Sequence, residues 1–173
     1  ATNEDVKIGV NKQTPIRLRM LVSNGAASST GSVQYQLQVA ETGTCSSGSY
    51  TAVGSDTDWQ MVDSAYFVDG AATSNVASGL TDPPSYSFTA GQLKDTSDTT
   101  GGINLPVSNF SELEFSIQAT TSATSGGDYC FRLYNATTGT VLNTYTNYAT
   151  AKINGVTAIG LLSFEATGVG GAV

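Results

Sequence analysis

The stretch that decides the fold is Tyr129-Cys130-Phe131-Arg132-Leu133-Tyr134-Asn135. On an extended backbone, the side chains at positions 129, 131 and 133 point to one side, and those between them point to the other. Two glycines precede this stretch, and the turn-prone residues 135–139 follow it. The pattern therefore predicts a central strand. Because this strand carries one of only two cysteines, whatever pairs with Cys130 is fastened to the middle of the core.

Three other stretches alternate with the same period of two. Residues 16–22, 33–39 and 112–118 each place apolar side chains at every second position. Shorter candidate strands lie at 6–10, 50–53, 59–62, 86–88, 103–107, 141–145 and 153–164. No stretch has the 3.6-residue period of an amphipathic helix. With about eight to ten short strands and turn residues roughly every 8–12 positions, we predict an all-β chain, one antiparallel β-sandwich domain over residues 1–173.

The order of Cys45, Trp59 and Cys130 is that of an immunoglobulin domain, but two details differ. The tyrosine stands one residue before the second cysteine rather than two, and the two cysteines are far apart in the sequence. We therefore predict immunoglobulin-like or jelly-roll-like geometry without membership of the immunoglobulin family.

Composition argues against several classes of function. Charged residues are 12% of the 173 residues, which is about half the usual fraction. The net charge of −7 argues against a nucleic-acid partner, which requires a basic surface. Membrane insertion is not expected, because no apolar run approaches about 18 residues.

The residue inventory also argues against catalysis. Histidine is absent, which removes the Ser–His–Asp and Cys–His arrangements of nucleophilic enzymes. No glycine-rich phosphate loop joins a strand to a helix. We therefore predict that the protein is not an enzyme and uses no cofactor.

Cys45 and Cys130 have two alternative states. In an oxidising compartment they form one disulfide, and in a reducing one they are two buried thiols. Surfaces rich in serine, threonine, glycine and asparagine are common in exported β proteins. We therefore favour the disulfide and expect an extracellular or cell-surface protein, exported by a signal peptide that is absent from this chain.

Arg17 and Arg19 alternate with apolar residues in the predicted strand 16–22. They would form a basic stripe for an acidic partner, or they would pair with Glu112 and Glu114, which alternate in the same way on a later strand. We favour the pairing. It also explains the two glutamates better than a glycosidase-like pair of catalytic carboxylates does.

Other polar residues give weaker patterns. Asp56, Asp58, Asp63 and Asp69 form a loose acidic group without the fixed spacing of a calcium loop, and we predict no metal site. Asn109 and Asn135 begin N-glycosylation sequons, and the serine- and threonine-rich loops would be alternative sites for O-glycans.

Several segments together resemble a known module, and their positions are 16–24, 35–40, 45, 59, 88–93, 112–115 and 128–135. The pattern resembles a recurring, largely uncharacterised β-rich module of bacterial extracellular and cell-surface proteins, and it covers roughly residues 6–145. The resemblance implies an exported β-rich module with a bridge between Cys45 and Cys130. It implies no catalytic residues.

Two non-enzymatic functions remain. The first is a structural subunit of an extracellular filament, in which copies of the chain exchange strands at residues 1–10 or 150–164. The residues expected in those strands are Val6, Ile8, Val10, Ile153, Val156, Ile159, Leu161, Leu162 and Phe164.

The second is a module that binds glycans or other surface proteins. Its candidate stacking residues are Trp59, Tyr50 and Tyr66, although the apolar neighbours of Trp59 favour a place in the core.

Overall fold

The computed structural model describes residues 8–76, 79–142, 144–145 and 147–155. The described chain forms thirteen strands. Their bounds are β1 Ile8–Val10, β2 Ile16–Asn24, β3 Ser32–Val33, β4 Tyr35–Glu41, β5 Thr51–Ala52, β6 Trp59–Met61, β7 Ser87–Phe88, β8 Leu93–Lys94, β9 Ile103–Asn104, β10 Asn109–Ala119, β11 Asp128–Asn135, β12 Thr140–Val141 and β13 Ala149–Ile153. Two short 3-10 helices span Cys45–Ser47 and Val53–Ser55.

The strands form two facing sheets and one small ribbon. The first sheet has the order β1-β13-β11-β4-β5, with β12 on the same side of β11 as β13. The second sheet has the order β2-β10-β6, with β7 and β8 also paired to β10, and β3 pairs with β9. The predicted all-β sandwich with one disulfide is confirmed.

The long antiparallel pairs follow from the alternating sequence. Strand β11 pairs with β4 from Tyr129 to Asn135, and β10 pairs with β2 from Asn109 to Ile117. Three short pairs, β1 with β13, β7 with β10 and β8 with β10, are parallel. Alternation does not encode strand direction, so the sequence contained no sign of them.

The core lies between the inner faces of the two sheets. The indole of Trp59, on β6, meets Phe131 and Tyr129 of β11 edge-on, with ring centroids 4.9 and 5.7 Å apart. Leu113, Phe115 and Ile117 of β10 are fully buried against the same cluster. Edge-to-face aromatic contacts of this kind add to the burial of apolar area.

The outer face of the second sheet is covered by the loop of residues 62–76. Phe67 lies under the Arg17 guanidinium, and the Thr73 hydroxyl donates to the backbone oxygen of Glu112 at 2.7 Å. Gly91 lies so close to this oxygen that no side chain would fit there. A face that alternation alone assigns to solvent is therefore largely buried.

Candidate functional site

The disulfide joins a loop to the central strand, as predicted. Cys45 begins the first 3-10 helix and Cys130 lies in β11, with Cα atoms 5.4 Å apart. Cys130 points away from the aromatic core, yet it is buried, because the loop that carries Cys45 covers it. The bond holds residues 42–50 on the outer face of the first sheet.

Both predicted assembly segments, 1–10 and 150–164, lie partly in the first sheet of their own chain. Ile8 pairs with Ala151, and Val10 pairs with Ile153, in the parallel β1–β13 ladder. Val10 and Ile153 are buried in the core. The other predicted assembly residues, Val6, Val156, Ile159, Leu161, Leu162 and Phe164, lie outside the described residues.

The chain leaves β13 at the end of the sandwich where β2 begins. The backbone N–H of Asn154 donates to the Val10 oxygen at 2.8 Å, and its side chain contacts Asn11. The N–H of Gln13 then reaches the oxygen of Ala119 at the last residue of β10, close to Ile16. Strands β1 and β11 occupy the two sides of β13.

In the described part of the chain, one flank of the sandwich is incompletely closed, and we call it the β2 flank. It is defined by Ile16, Leu18 and Met20 of β2 with Leu142 and Ala149 on the same side of the first sheet. These five side chains pack on the core but stay half-buried. The opposite flank is closed by the second 3-10 helix and the segment 98–100, which donates and accepts backbone hydrogen bonds with β4.

Strand β2 is an edge strand of the second sheet on this flank, since among the residues that the structure describes it pairs only with β10. Its outward N–H and C=O groups therefore offer a template for another strand. A strand added there would also cover the half-buried side chains of the β2 flank. The geometry thus combines free backbone groups with apolar side chains that gain from burial.

The predicted pairing between arginines and glutamates is confirmed. The guanidinium of Arg19 contacts Glu112 at 2.5 Å and Glu114 at 2.9 Å, while Arg17 contacts Glu114 at 2.5 Å. Both arginines are therefore neutralised within the chain. This leaves little support for a basic stripe that binds an acidic partner.

The sequence did not indicate that the two glutamates are buried. The side chain of Glu112 is 0% exposed, and one of its carboxylate oxygens has no hydrogen-bond partner in the described part of the chain. Burial raises the pKa of Glu112, although the Arg19 charge and hydrogen bond oppose this shift. This cluster is a structural element of the second sheet, since its charges point at one another rather than at solvent.

The three candidate stacking residues do not form one surface. Trp59 is fully buried and cannot stack on a sugar, which corrects that hypothesis in favour of its place in the core. Tyr50 lies on the outer face of the first sheet, where the Arg132 guanidinium covers its ring at 4.0 Å. Tyr66 is 89% exposed and adjoins Phe67 over the second sheet, on the opposite face.

The structure shows an aromatic cluster that the sequence did not predict. Tyr50 and Tyr145 each stack on Tyr148, with centroid distances of 6.4 and 5.1 Å. Partial burial, with the neighbouring Tyr148, raises the pKa of Tyr50 to about 12 despite the Arg132 charge. Its hydroxyl donates to the Cys45 oxygen. The cluster therefore packs the disulfide loop against the segment before β13.

Three of the four aspartates in the predicted loose acidic group, Asp56, Asp58, Asp63 and Asp69, have local roles that the structure shows. Asp56 accepts the N–H groups of Asp58 and Trp59, and Asp58 accepts the hydroxyl of Tyr129. Asp69 pairs with the buried Lys94 at 2.6 Å. No group of three or more potential metal ligands occurs among the residues that the structure describes.

The two sequons differ in accessibility. Asn109 begins β10, and the hydroxyl-bearing residue of its sequon, Ser111, is fully buried. Asn135 ends β11, and its sequon continues into the exposed turn at Thr137. The folded chain therefore presents the second sequon far better than the first.

A shallow polar depression of about 470 Å³ lies where β4, β5 and β6 approach one another. It is lined by Gln36, Ala52, Gly54, Ser55, Gln60, Met61, Thr96, Ser97 and Asp98. It contains no aromatic side chain on which a sugar ring would stack.

Comparisons with family models, with curated proteins and with solved structures find no match for this chain. The resemblance to an extracellular β-rich module therefore stays a prediction. None of the helices in the described part of the chain has the length and apolar character needed to cross a membrane.

Proposed function

We propose that this protein is a structural subunit of an extracellular filament or cell-surface assembly, and that its copies join by adding a β-strand to one another. The observation that carries the proposal is the nine-residue edge strand β2 beside the β2 flank. The exposed edge offers hydrogen bonds, and the half-buried side chains offer apolar area that a neighbour would bury.

Charge and covalent structure support an assembly outside the cell. The Cys45–Cys130 disulfide suits an oxidising compartment. Nucleic acid and anionic lipid are less suitable as partners, because each would require a basic surface that a chain with a net charge of −7 does not provide.

Sedimentation velocity over a range of protein concentrations, followed by negative-stain electron microscopy, tests this function. We expect species larger than the 17.8 kDa monomer and, at high concentration, extended particles of uniform width. A chain that stays monomeric at every concentration, with both ends verified by mass spectrometry, would refute the function.

The alternative function, an adhesion module that binds glycans or surface proteins, is favoured by one observation. Tyr66 and Val68 are 89% and 72% exposed, the highest values among the large apolar residues described. Replacing Tyr66 by serine should then abolish binding to the target surface without changing the melting temperature. Unchanged binding would remove this support.

A further inference from the structure

We infer that the β2 flank is the acceptor site for residues 156–164 of a second copy, which add to β2 as an antiparallel strand. This inference rests on the proposed function and names both halves of its contact. The donated strand is the segment that follows β13 and not residues 1–10.

Length and chemistry match the segment to the site. Residues 156–164 and strand β2 each contain nine residues, and the sequence carries no charge between Lys152 and Glu165. Five of those nine residues are large and apolar, and they are Val156, Ile159, Leu161, Leu162 and Phe164. Such a segment, exposed to water, is an aggregation hazard, and paired in a sheet it is stabilised.

The N-terminal alternative is less suitable. Strand β1 already pairs with β13 of its own chain, and Val10 is buried in the core. Withdrawing residues 8–10 for exchange would break this ladder. Residues 156–164 follow the last described strand and can be donated without dismantling β13.

The direction in which residues 156–164 leave the sandwich indicates whether they pair with β2 of their own copy or with β2 of a second copy. Residue 155 follows Asn154 at the end of the sandwich where β2 begins. To pair antiparallel with β2 of its own copy, the segment would first have to run the length of β2 to Asn24. Nine extended residues span about 30 Å, so the segment would be used up by that crossing. Within one copy only parallel pairing is possible, and it is slightly less stable per residue.

An antiparallel donor has a consequence for the assembly. It leaves one copy near Ile16 and enters the next copy near Asn24, and these are opposite ends of the same strand. Donor and acceptor surfaces are therefore different, so that the contact is heterologous and extends into a fibre unless the rotation closes a ring.

Crosslinking in mixed assemblies tests this inference. One preparation carries Ser23→Cys, at the exposed end of β2, and a second, tagged preparation carries Thr157→Cys. A short bismaleimide reacts with these free thiols and leaves the Cys45–Cys130 disulfide intact. We expect a covalent dimer of tagged and untagged chains. The matched control replaces Ser23→Cys by Thr14→Cys, an exposed position two residues before β2 begins, and should lose the dimer band.

Two neighbouring substitutions test the strand itself. Successive side chains of a strand face opposite sides, so Leu161→Lys and Leu162→Lys should act differently. One would place its charge against the apolar side chains of the β2 flank and abolish assembly, and the other would leave assembly intact. Circular dichroism of each variant checks that the sandwich is folded.

The outcomes separate the inference from the proposed function. Assemblies that form without the Ser23–Thr157 crosslink would overturn the inference and leave the function standing. A crosslink within one chain that carries both Ser23→Cys and Ser163→Cys would also overturn it, since parallel pairing with β2 of the same copy places residue 163 beside Ser23. Absence of any assembly from the unmodified chain would refute the function.

Discussion

Removing the disulfide should lower the free energy of unfolding by an amount that follows from the length of the loop that the bond closes. The bond joins residues 85 positions apart, so its loss frees a long loop in the unfolded chain. The chain-entropy relation gives about 4–5 kcal/mol at 25 °C for a loop of this size. That is a large part of the roughly 5–15 kcal/mol that stabilises a typical domain.

The perturbation is the double variant Cys45→Ala and Cys130→Ala. The assay is urea unfolding followed by the fluorescence of Trp59, which is fully buried in the folded chain and becomes exposed on unfolding. With a urea slope of about 2 kcal/mol per molar, the midpoint should fall by roughly 2 M. Reduced wild-type protein is the matched control, since it keeps both sulfur atoms and loses only the bond.

A loss below about 1 kcal/mol would refute this reasoning. It would mean that residues 45–130 are already constrained in the unfolded chain, so that the bond closes no long loop. A small loss in the reduced protein beside a large loss in the double variant would instead assign the effect to the packing of Cys130.

Three further outcomes are expected. Arg19→Met should cost about 3–5 kcal/mol because the Glu112 charge stays buried without its partner, whereas Arg17→Met, whose side chain is 58% exposed, should cost about 1 kcal/mol or less in the same urea titration. Although burial opposes the shift, hydrogen bonds from Lys94 and the backbone lower the pKa of Asp69 from 3.8 to about 2. The Asp69 carboxylate therefore stabilises the fold above about pH 4 and less as the pH falls to 2, so the stability gap between wild type and Asp69→Asn should shrink over that interval and would contradict this assignment if it stayed constant. In a host that glycosylates, peptide mapping should find glycan at Asn135, and occupancy of Asn109 instead would contradict the order of accessibility.

The parts of the fold that the sequence predicted are those with a strong period of two. In β2, β4, β10 and β11 apolar side chains occupy one face, and a shift by one residue would turn every one of them to the wrong side. The same argument placed Arg19 and Glu114 on one face, where they lie directly opposite each other. The position of Cys130 in the middle of the core followed from the prediction that its strand is central.

The remaining features depend on contacts distant in sequence. Strands β7 and β8 are two residues long, too short for any period, and they exist because β10 offers them an edge. The burial of Glu112 depends on the loop that contains Thr73, whose position alternation does not encode. The stacking of Tyr50 on Tyr148 joins residues on separate segments of the first sheet and has no local signal.

The candidate site was predictable only in part. The sequence indicated that the segment after β13 is apolar and suited to pairing, but it did not indicate an acceptor. The β2 flank is recognised from Leu18 and Met20, which face the core and yet stay half-buried. Alternation predicts which way a side chain faces, whereas its exposure depends on whether a neighbouring strand lies beside it.

A reconstruction of the assembled protein by cryo-electron microscopy tests the proposed strand addition most directly. We expect repeating copies in which an additional strand, supplied by a neighbouring copy, lies beside β2 and covers Ile16, Leu18 and Met20. Copies that touch only through their loops, with the β2 edge open to solvent, would contradict strand addition at β2.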